Sequence, residues 1–219
     1  MRIANLKGRL VLVEDDTAVD VAEASGGRFP ADPQAVFAEW DAFRDWAASQ
    51  DAASPTPAGT PFAVEDLGPP VPRPSQVFAI GINYAEHARE AGYPPDSAPV
   101  TFTKFPSCLA GPDCEVELPS GTVDWEVEAV VAISREAWRV RREDAWDRVA
   151  GLTVGQDLSE RTSQLAGAKP QFSLAKSFTN FGPTGPWLVT PDIRPGEVLV
   201  SELEGVGRIT QRFVPAADA

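Results

Sequence analysis

Val123-Asp-Trp-Glu-Val-Glu-Ala-Val-Val-Ala-Ile133 decides the fold class, because its polar and apolar residues alternate. Read as a strand, it sends Val127, Ala129, Val131 and Ile133 to one face and Glu126, Glu128, Val130 and Ala132 to the other. The two glutamates then share a face with their backbones roughly 6.5–7 Å apart, and that face turns apolar further along. Carboxylates on a partly buried face repel each other and cost heavily unless protonated or holding a cation. The other reading is a strand end emerging into solvent, where two glutamates cost nothing.

Outward from this stretch the pattern is one of short apolar runs. Val77–Ile80, Val100–Thr103, Val116–Leu118, Gly151–Val154 and Trp187–Val189 each read as a strand, against helices expected only at Tyr84–Ala91 and Glu143–Val149. In the second helix Ala145, Trp146 and Val149 form one face. Towards the N-terminus, Arg9-Leu-Val-Leu-Val13 is a strand ended by Glu14-Asp-Asp16. Asp32-Pro33 is a helix start, with Val36, Trp40, Phe43 and Ala47 as the apolar stripe that follows. The periodicity lapses from Ser49 to Ser75, where Ala, Pro, Ser and Gly predict an extended linker with Phe62-Ala-Val64 as a short docked strand. The predicted class is therefore α+β, mainly β. A small α+β N-terminal domain with its Pro/Ala-rich linker covers 1–70, and the main domain covers 71–219. No strand, glycine-rich turn and helix occur in succession, which argues against a doubly wound nucleotide fold.

The 219 residues are 43% hydrophobic and 23% charged, enough for one sizeable core. No run approaches the roughly 20 apolar residues of a membrane-spanning helix, so no membrane partner is expected. The start, MRIANLKGRLVLVEDD, has none of the features of a secretory signal. With two cysteines, Cys108 and Cys114, a disulfide scaffold is not expected and a cytoplasmic location is. The net charge of -13, from 19 Lys+Arg against 32 Asp+Glu, repels phosphate backbones and argues against a nucleic-acid partner.

Other residues bear chemistry. Leu152-Thr-Val-Gly-Gln-Asp157 is a strand ending in an acid, and Asp157 can complete an all-oxygen set with Glu126 and Glu128. Such a set suits a hard ion; a turn or cap is the alternative role for Asp157. His87, the single histidine, lies three residues from Glu90, which on a helix places both on one face. That pair is either a base that activates water or a surface ion pair. Lys176 sits between apolar residues in Phe172-Ser-Leu-Ala-Lys-Ser-Phe178, so it points into a site or snorkels to water.

These pieces resemble, in order and spacing, the motifs of the fumarylacetoacetate hydrolase family. They are Ile80-Gly-Ile-Asn-Tyr-Ala-Glu-His-Ala-Arg-Glu90, Phe102-Thr-Lys-Phe-Pro-Ser107 with Gly111-Pro112, Asp124-Trp-Glu-Val-Glu128, Gln156-Asp-Leu-Ser-Glu-Arg161 with Gln164, and Ala175-Lys-Ser-Phe178 with Gly185-Pro-Trp187. The resemblance covers about residues 76 to 190 and implies a mixed β-sandwich roll, usually a homodimer. It implies that Glu126, Glu128 and Asp157 ligate Mg2+ or Mn2+, and that His87 and Glu90 activate water. It further implies that Lys176 stands beside the metal and that Arg161 and Gln164 lie near the substrate.

The implied reaction is C–C cleavage of a 2,4-diketo acid such as an acylpyruvate, through a metal-stabilised enolate. Related members decarboxylate oxaloacetate or isomerise or hydrate 2-oxo acids, and a non-catalytic metal-binding protein or dimer partner is the alternative of another class. Two departures do not touch the ligands: Ala129 replaces a larger residue or further acid, and Thr162 a common Asp. Family members continue past this point through more strands and a Gly-Thr-Pro loop. Here Leu199–Gly205 begins the expected strand but that loop is lacking, so a main domain without its C-terminal part is expected.

Overall fold

The computed structural model describes residues 1–53, 59–82, 89, 92, 94, 97–191, 198–203 and 207–212, of which 51–53, 198–203 and 207–212 by backbone alone. Its N-terminal unit is an antiparallel meander of β1 (Arg2–Leu6), β2 (Arg9–Glu14) and β3 (Thr17–Asp20). The expected strand at Arg9 is present, and the acidic turn after it joins β2 to β3. Sequence reading missed β1 because Asn5 interrupts its apolar run. That side chain is buried yet satisfied, donating to the Pro69 carbonyl at 3.1 Å and accepting the Gly8 N–H at 2.9 Å.

After the one-turn helix α1 (Val21–Ala24), Asp32 accepts the Gln34 N–H at 3.0 Å, which makes a turn and not the first helical residue. Winding begins as a 3-10 turn over Ala35–Glu39 and continues as α2 (Trp40–Ala53). Val36, Trp40, Phe43 and Ala47 are all buried, as their spacing predicts. Together with Phe29 they pack on Leu10, Leu12 and Val19 from the meander and also on Ala132, Ala150 and Leu188. One core therefore serves both the N-terminal unit and the strands that carry the site.

The stretch expected to be an extended linker is partly built into the sheet. β4 (Thr60–Pro61) pairs with β3 and β5 (Leu67–Gly68) with β1, because these backbone groups find open edges to bond. The docked strand thus lies just before Phe62, not on it. Next come the hairpin of β6 (Val77–Gly81) and β7 (Val100–Lys104), then β8 (Leu109–Ala110). Val116–Leu118 is irregular where a strand was expected, with Leu118 exposed; no neighbouring edge pairs with it.

β9 (Val123–Asp124) and β10 (Val127–Ile133) run against β11 (Val149–Gln156) and β12 (Ser159–Glu160) in one register up to Ala132, interrupted at Trp125 and Glu126 and shifted between Ala132 and Ile133. The helix expected over Glu143–Val149 is not formed. Two 3-10 turns, Arg142–Asp144 and Trp146–Arg148, occupy it, and Val149 already belongs to β11. Of the face inferred there, Ala145 and Trp146 are exposed and Val149 is half-buried, Trp146 lying at the rim of a cleft that Trp40 and Val149 also line.

Two one-turn helices follow, α3 (Arg161–Gln164) and α4 (Phe172–Ala175), then β13 (Gly182–Val189). β13 is longer than the run Trp187–Val189 suggested, its first half being hidden by glycine and proline. Among the described residues the main sheet has nine strands in the order β10-β11-β13-β1-β2-β3-β4, with β5 on β1 and β8 on β13. β14 (Val198–Leu203) and β15 (Gly207–Arg212) pair with each other as a separate hairpin. The expected strand near Leu199 is thus present. Among the described residues no helix is long and apolar enough to cross a membrane.

β10 is the edge of this sheet, and its two faces differ. Ala132 is sealed under α2, whereas Val127, Val131 and Ile133 on the other face are exposed beside Val154 of β11. From Ala132 the sealed face runs back along the strand to Glu128 and Glu126.

This packing yields a measurable contrast between two aromatic residues. Phe43→Ala should lower unfolding free energy by about 3–5 kcal/mol in chemical denaturation, the usual cost of emptying a sealed aromatic site. Trp146→Ala should stay within about 0.5 kcal/mol of the parent, as for an exposed position.

Candidate active site

The β10–β11 register is what gathers the acids. The Asp157 N–H donates to the Glu126 carbonyl at 2.8 Å, and Glu128 faces Gly155. Cross-strand neighbours in an antiparallel pair project to the same side, so Glu126, Glu128 and Asp157 share one face. Gly155 is required for this close packing, since a Cβ there would lie 2.7 Å from Val130 Cγ2 and 3.2 Å from Thr184 Cγ2.

Lys176 closes the arrangement from the opposite side. It caps the C-terminus of α4 and is 2% exposed. Its Nζ donates to Glu126 Oε2 at 2.8 Å, Asp157 Oδ2 at 2.8 Å and Ser159 Oγ at 2.6 Å, with the Phe102 ring 5.2 Å away. The ammonium's three protons are thus all used. Of the two roles open to Lys176, the buried one is realised; it does not snorkel.

Arg161 braces Glu126 from its other oxygen. Its Nη2 donates to Glu126 Oε1 at 2.6 Å and to Asp124 Oδ2 at 2.9 Å, its Nε to Asp124 Oδ2 at 3.2 Å, and its Nη1 to Gln164 Oε1 at 2.9 Å. The guanidinium hydrogen bond holds the Asp124 carboxyl below its usual range. Burial works against the charge of Arg161, but Asp124 and Glu126 outweigh it and raise its pKa. Arg161 and Gln164, the expected substrate contacts, therefore stand at the edge of the same cluster and bond each other.

Sequence reading missed Lys104, Ser159, Glu160 and Asp124. For Lys104 and Asp124 a signal existed. Lys104 shares the alternating face of Val100 and Phe102, and Asp124 that of Glu126 and Glu128. Lys104 is buried, and its Nζ donates to Asp157 Oδ1 at 2.7 Å, to the Phe181 carbonyl at 3.0 Å and to the Lys176 carbonyl. Glu160 is the N-cap of α3, accepting the N–H groups of Thr162 at 2.8 Å and Ser163 at 2.7 Å and the Ser163 hydroxyl. The hydroxyl bond, then the Ser163 N–H, lower its pKa from 4.5 to about 2. Gly121, at φ +128°, lets the chain approach this carboxylate closely, and a Cβ there would strike it.

His87 and Glu90 lie outside the described residues, in the connection between β6 and β7. Among the described residues no group of three or more His, Cys, Asp and Glu stands ready to hold a metal. Glu126 and Asp157 instead meet at Lys176, with Glu128 one alternation along the same face. The donor chemistry nevertheless fits a hard divalent cation. It consists of oxygen atoms alone, on paired strands, and two of the carboxylates already share one positive charge.

A buried ammonium spanning two carboxylates at the end of a strand pair marks the candidate site. The family model described as fumarylacetoacetate (FAA) hydrolase C-terminal matches residues 76–196. That is more than half of the chain, which belongs to this family. Human mitochondrial oxaloacetate tautomerase FAHD2A is 43% identical over 125 residues, 56% of this chain and 40% of that protein. The chain thus matches well under half the length of these curated relatives. A solved Mycobacterium smegmatis protein, provisionally named HpcE, is 39% identical with a TM-score of 0.80, over 98% of this chain and 99% of that one. Maleylpyruvate hydrolase from Sphingobium sp. SYK-6, solved with manganese(II) and pyruvate, is 26% identical with a TM-score of 0.67, over 91% of this chain and 67% of that one. The fold is accordingly that of the family: α+β, mainly β.

The Glu160 cap gives a pH test. A carboxylate with a lowered native pKa stabilises the fold above its ordinary value of 4.5 and loses that contribution as pH falls through about 2. Glu160→Gln should reduce the denaturation midpoint near neutral pH, and the gap between the two proteins should close on acidification towards about 2.

Proposed function

We propose that this chain is an enzyme of enolate chemistry on 2-oxo acids, with C–C hydrolysis of a 2,4-diketo acid such as an acylpyruvate as its reaction. The observation that carries the reading is the Lys176 ammonium, buried against Glu126 and Asp157 on one strand face. Glu126, Glu128 and Asp157 would hold Mg2+ or Mn2+; when bound, the ion supplies Lewis-acid stabilisation of negative charge on oxygen. Family membership and the manganese and pyruvate in the solved maleylpyruvate hydrolase support that assignment.

The chain's own residues divide the remaining work. Lys176 is a fixed positive charge, held by Ser159 and covered by Phe102, that would meet charge developing on a substrate oxygen by exchanging one of its three present acceptors. Arg161 fixes Glu126 and offers a guanidinium at the rim, where a substrate carboxylate can exchange for Asp124. His87 and Glu90 would remove the proton from water before it attacks the distal carbonyl. Cleavage of the C–C bond then leaves its electron pair on the 2-oxo acid half as an enolate.

A second reading is tautomerisation, favoured by the 43% identity to an oxaloacetate tautomerase. It needs the same enolate and no attacking water. Decarboxylation of oxaloacetate and isomerisation or hydration of 2-oxo acids use that enolate too. The reading includes a homodimer, supported by the exposed apolar face of Val127, Val131, Ile133 and Val154.

A substrate panel with Mn2+ present and absent tests the function. Acylpyruvate absorbance should fall only with metal. Keto–enol equilibration of oxaloacetate with acylpyruvate untouched would select tautomerisation, and no turnover on any panel member would end the enzymatic reading. Within an active enzyme, Lys176→Met should cost about 10²-fold or more in kcat, the scale of losing one preorganised donor. His87→Ala should abolish hydrolysis and leave Mn2+ binding near the parent's, whereas Glu128→Ala should weaken Mn2+ binding in calorimetry.

A further inference from the structure

Lys104 has no part in the chemistry just described, yet it is buried at 6% exposure in the middle of the site. An ammonium out of water is tolerated only when its protons are matched. Here the three acceptors are Asp157 Oδ1, the Phe181 carbonyl and the Lys176 carbonyl. They belong to three separate segments: the residue after β11, the C-cap of α4, and the residue before β13. We propose that Lys104 is a positioning residue that sets divalent-cation affinity by fixing Asp157 and Lys176 together. This inference rests on the metal-dependent reading above.

The geometry of Asp157 is the first support. With Oδ1 taken by Lys104 at 2.7 Å, the plane of the carboxylate is fixed, and Oδ2 is the oxygen left for the Lys176 and Glu126 side. Without that bond the carboxylate can rotate and offer either oxygen. The second support is the hold on Lys176. α4 is a single turn, Phe172–Ala175, too short to be stable alone, closed only by the Lys176 N–H on the Phe172 carbonyl and the Ser177 N–H on the Leu174 carbonyl among its backbone bonds. Lys104 takes up the carbonyl of residue 176 itself, so the backbone that launches the catalytic ammonium is tied to the group that orients Asp157.

β7 is in turn seated on α4 by independent contacts, so Lys104 is delivered from a fixed position. Phe102 meets the Phe172 ring edge-on at 5.4 Å, Thr103 Oγ1 lies 3.3 Å from Ser173 Oγ, and the Phe105 N–H donates to Ser177 Oγ at 2.9 Å. The β6–β7 hairpin also brackets the segment that contains His87 and Glu90. Lys104 therefore links the strand that follows this segment to the carboxylate centre.

The two effects Lys104 can have on a bound cation differ in sign. As a bare positive charge next to Asp157 it would weaken binding of a divalent ion, so its removal would tighten binding. As an orienting donor it strengthens binding, and its removal weakens it. The experiment is Mn2+ titration by calorimetry, with no substrate present, of the parent and of Lys104→Met, each checked by circular dichroism and melting. Mn2+ affinity should fall about 10–100-fold, as for other groups that orient a metal ligand. In Lys104→Met/Asp157→Asn the two losses should not add, because the first acts through the second.

Unchanged or tighter Mn2+ binding in a folded Lys104→Met overturns the proposal. Lys104→Gln, which keeps an N–H donor in the site, covers the case in which methionine does not fold. Failure of both to fold places Lys104 among the residues of stability alone and also overturns it. A parent that binds no Mn2+ removes the metal-dependent reading itself, a result distinct from a parent that binds and a variant that binds equally.

Discussion

Two carboxylates brought to one point by strand pairing repel each other, and this structure relieves them with a buried ammonium. Glu126 and Asp157 are neighbours because one backbone hydrogen bond continues the β10–β11 ladder past its regular end. Their acidic oxygens each lie 2.8 Å from Lys176 Nζ. Removing one partner of such a buried set typically costs about 3–5 kcal/mol, since the other charges are left unmatched. The cost also explains the surrounding detail. Arg161 takes the remaining oxygen of Glu126, Lys104 takes that of Asp157, and Ser159 completes the donor count of Lys176. Each group is placed because its neighbour's charge would otherwise stand alone in a region with little water.

The sheet supplies the platform for this cluster by treating the two ends of one strand face differently. At Ala132 the inner face of β10 is pressed against the core under α2, which also covers Leu10, Leu12 and Leu188. Six residues back, roughly 20 Å along an extended strand, the same face carries Glu126 and meets Lys176. The N-terminal meander thus contributes to the site without touching it, by holding β13 through β1 and so fixing the sheet in which β11 lies. The outer face of β10 is apolar and exposed at Val127, Val131 and Ile133, on a strand that pairs along one edge only among the described residues. Surfaces of this kind are normally covered in soluble chains.

Much of this was legible from residue order, and the parts that were not have identifiable causes. Period-two alternation fixed the faces of Glu126 and Glu128 because one face of β10 is anchored in the core. The stripe Val36, Trp40, Phe43, Ala47 was readable for the same reason, as was the acidic end of the strand at Asp157. Glu143–Val149 misled because its apolar residues have helical spacing while Ala145 and Trp146 stay exposed; periodicity records a face, not its partner. β1 and β13 were obscured by Asn5 and by glycine and proline, whose tolerance depends on hydrogen bonds that only tertiary pairing provides. The roles of Lys176 and Lys104 lay beyond sequence in a stronger sense. A lysine amid apolar residues snorkels or turns inward according to whether acceptors converge on it, and those acceptors come from other segments, 17 to 50 residues away for Lys176 and 53 or more for Lys104.

This division bears on how one site can serve several reactions. The carboxylate–lysine centre is held by strand pairing and by groups whose hydrogen-bonding capacity is already filled, so its geometry has few alternatives. What it would stabilise in the proposed reading, an oxygen bearing negative charge, is common to C–C hydrolysis, decarboxylation and tautomerisation. In the proposed reading, the step that separates them, proton removal from water or from carbon, is assigned to His87 and Glu90, which lie in sequence between β6 and β7. The strands that flank that pair, β6 and β7, bond to each other and, among the described residues, not to the ladder that fixes Glu126 to Asp157. The proposed charge-stabilising half of the site thus lies on the paired strands, while the residues proposed to choose the outcome belong to a separate stretch of sequence. Relatives whose names differ, a tautomerase and a hydrolase among them, are what such an arrangement produces.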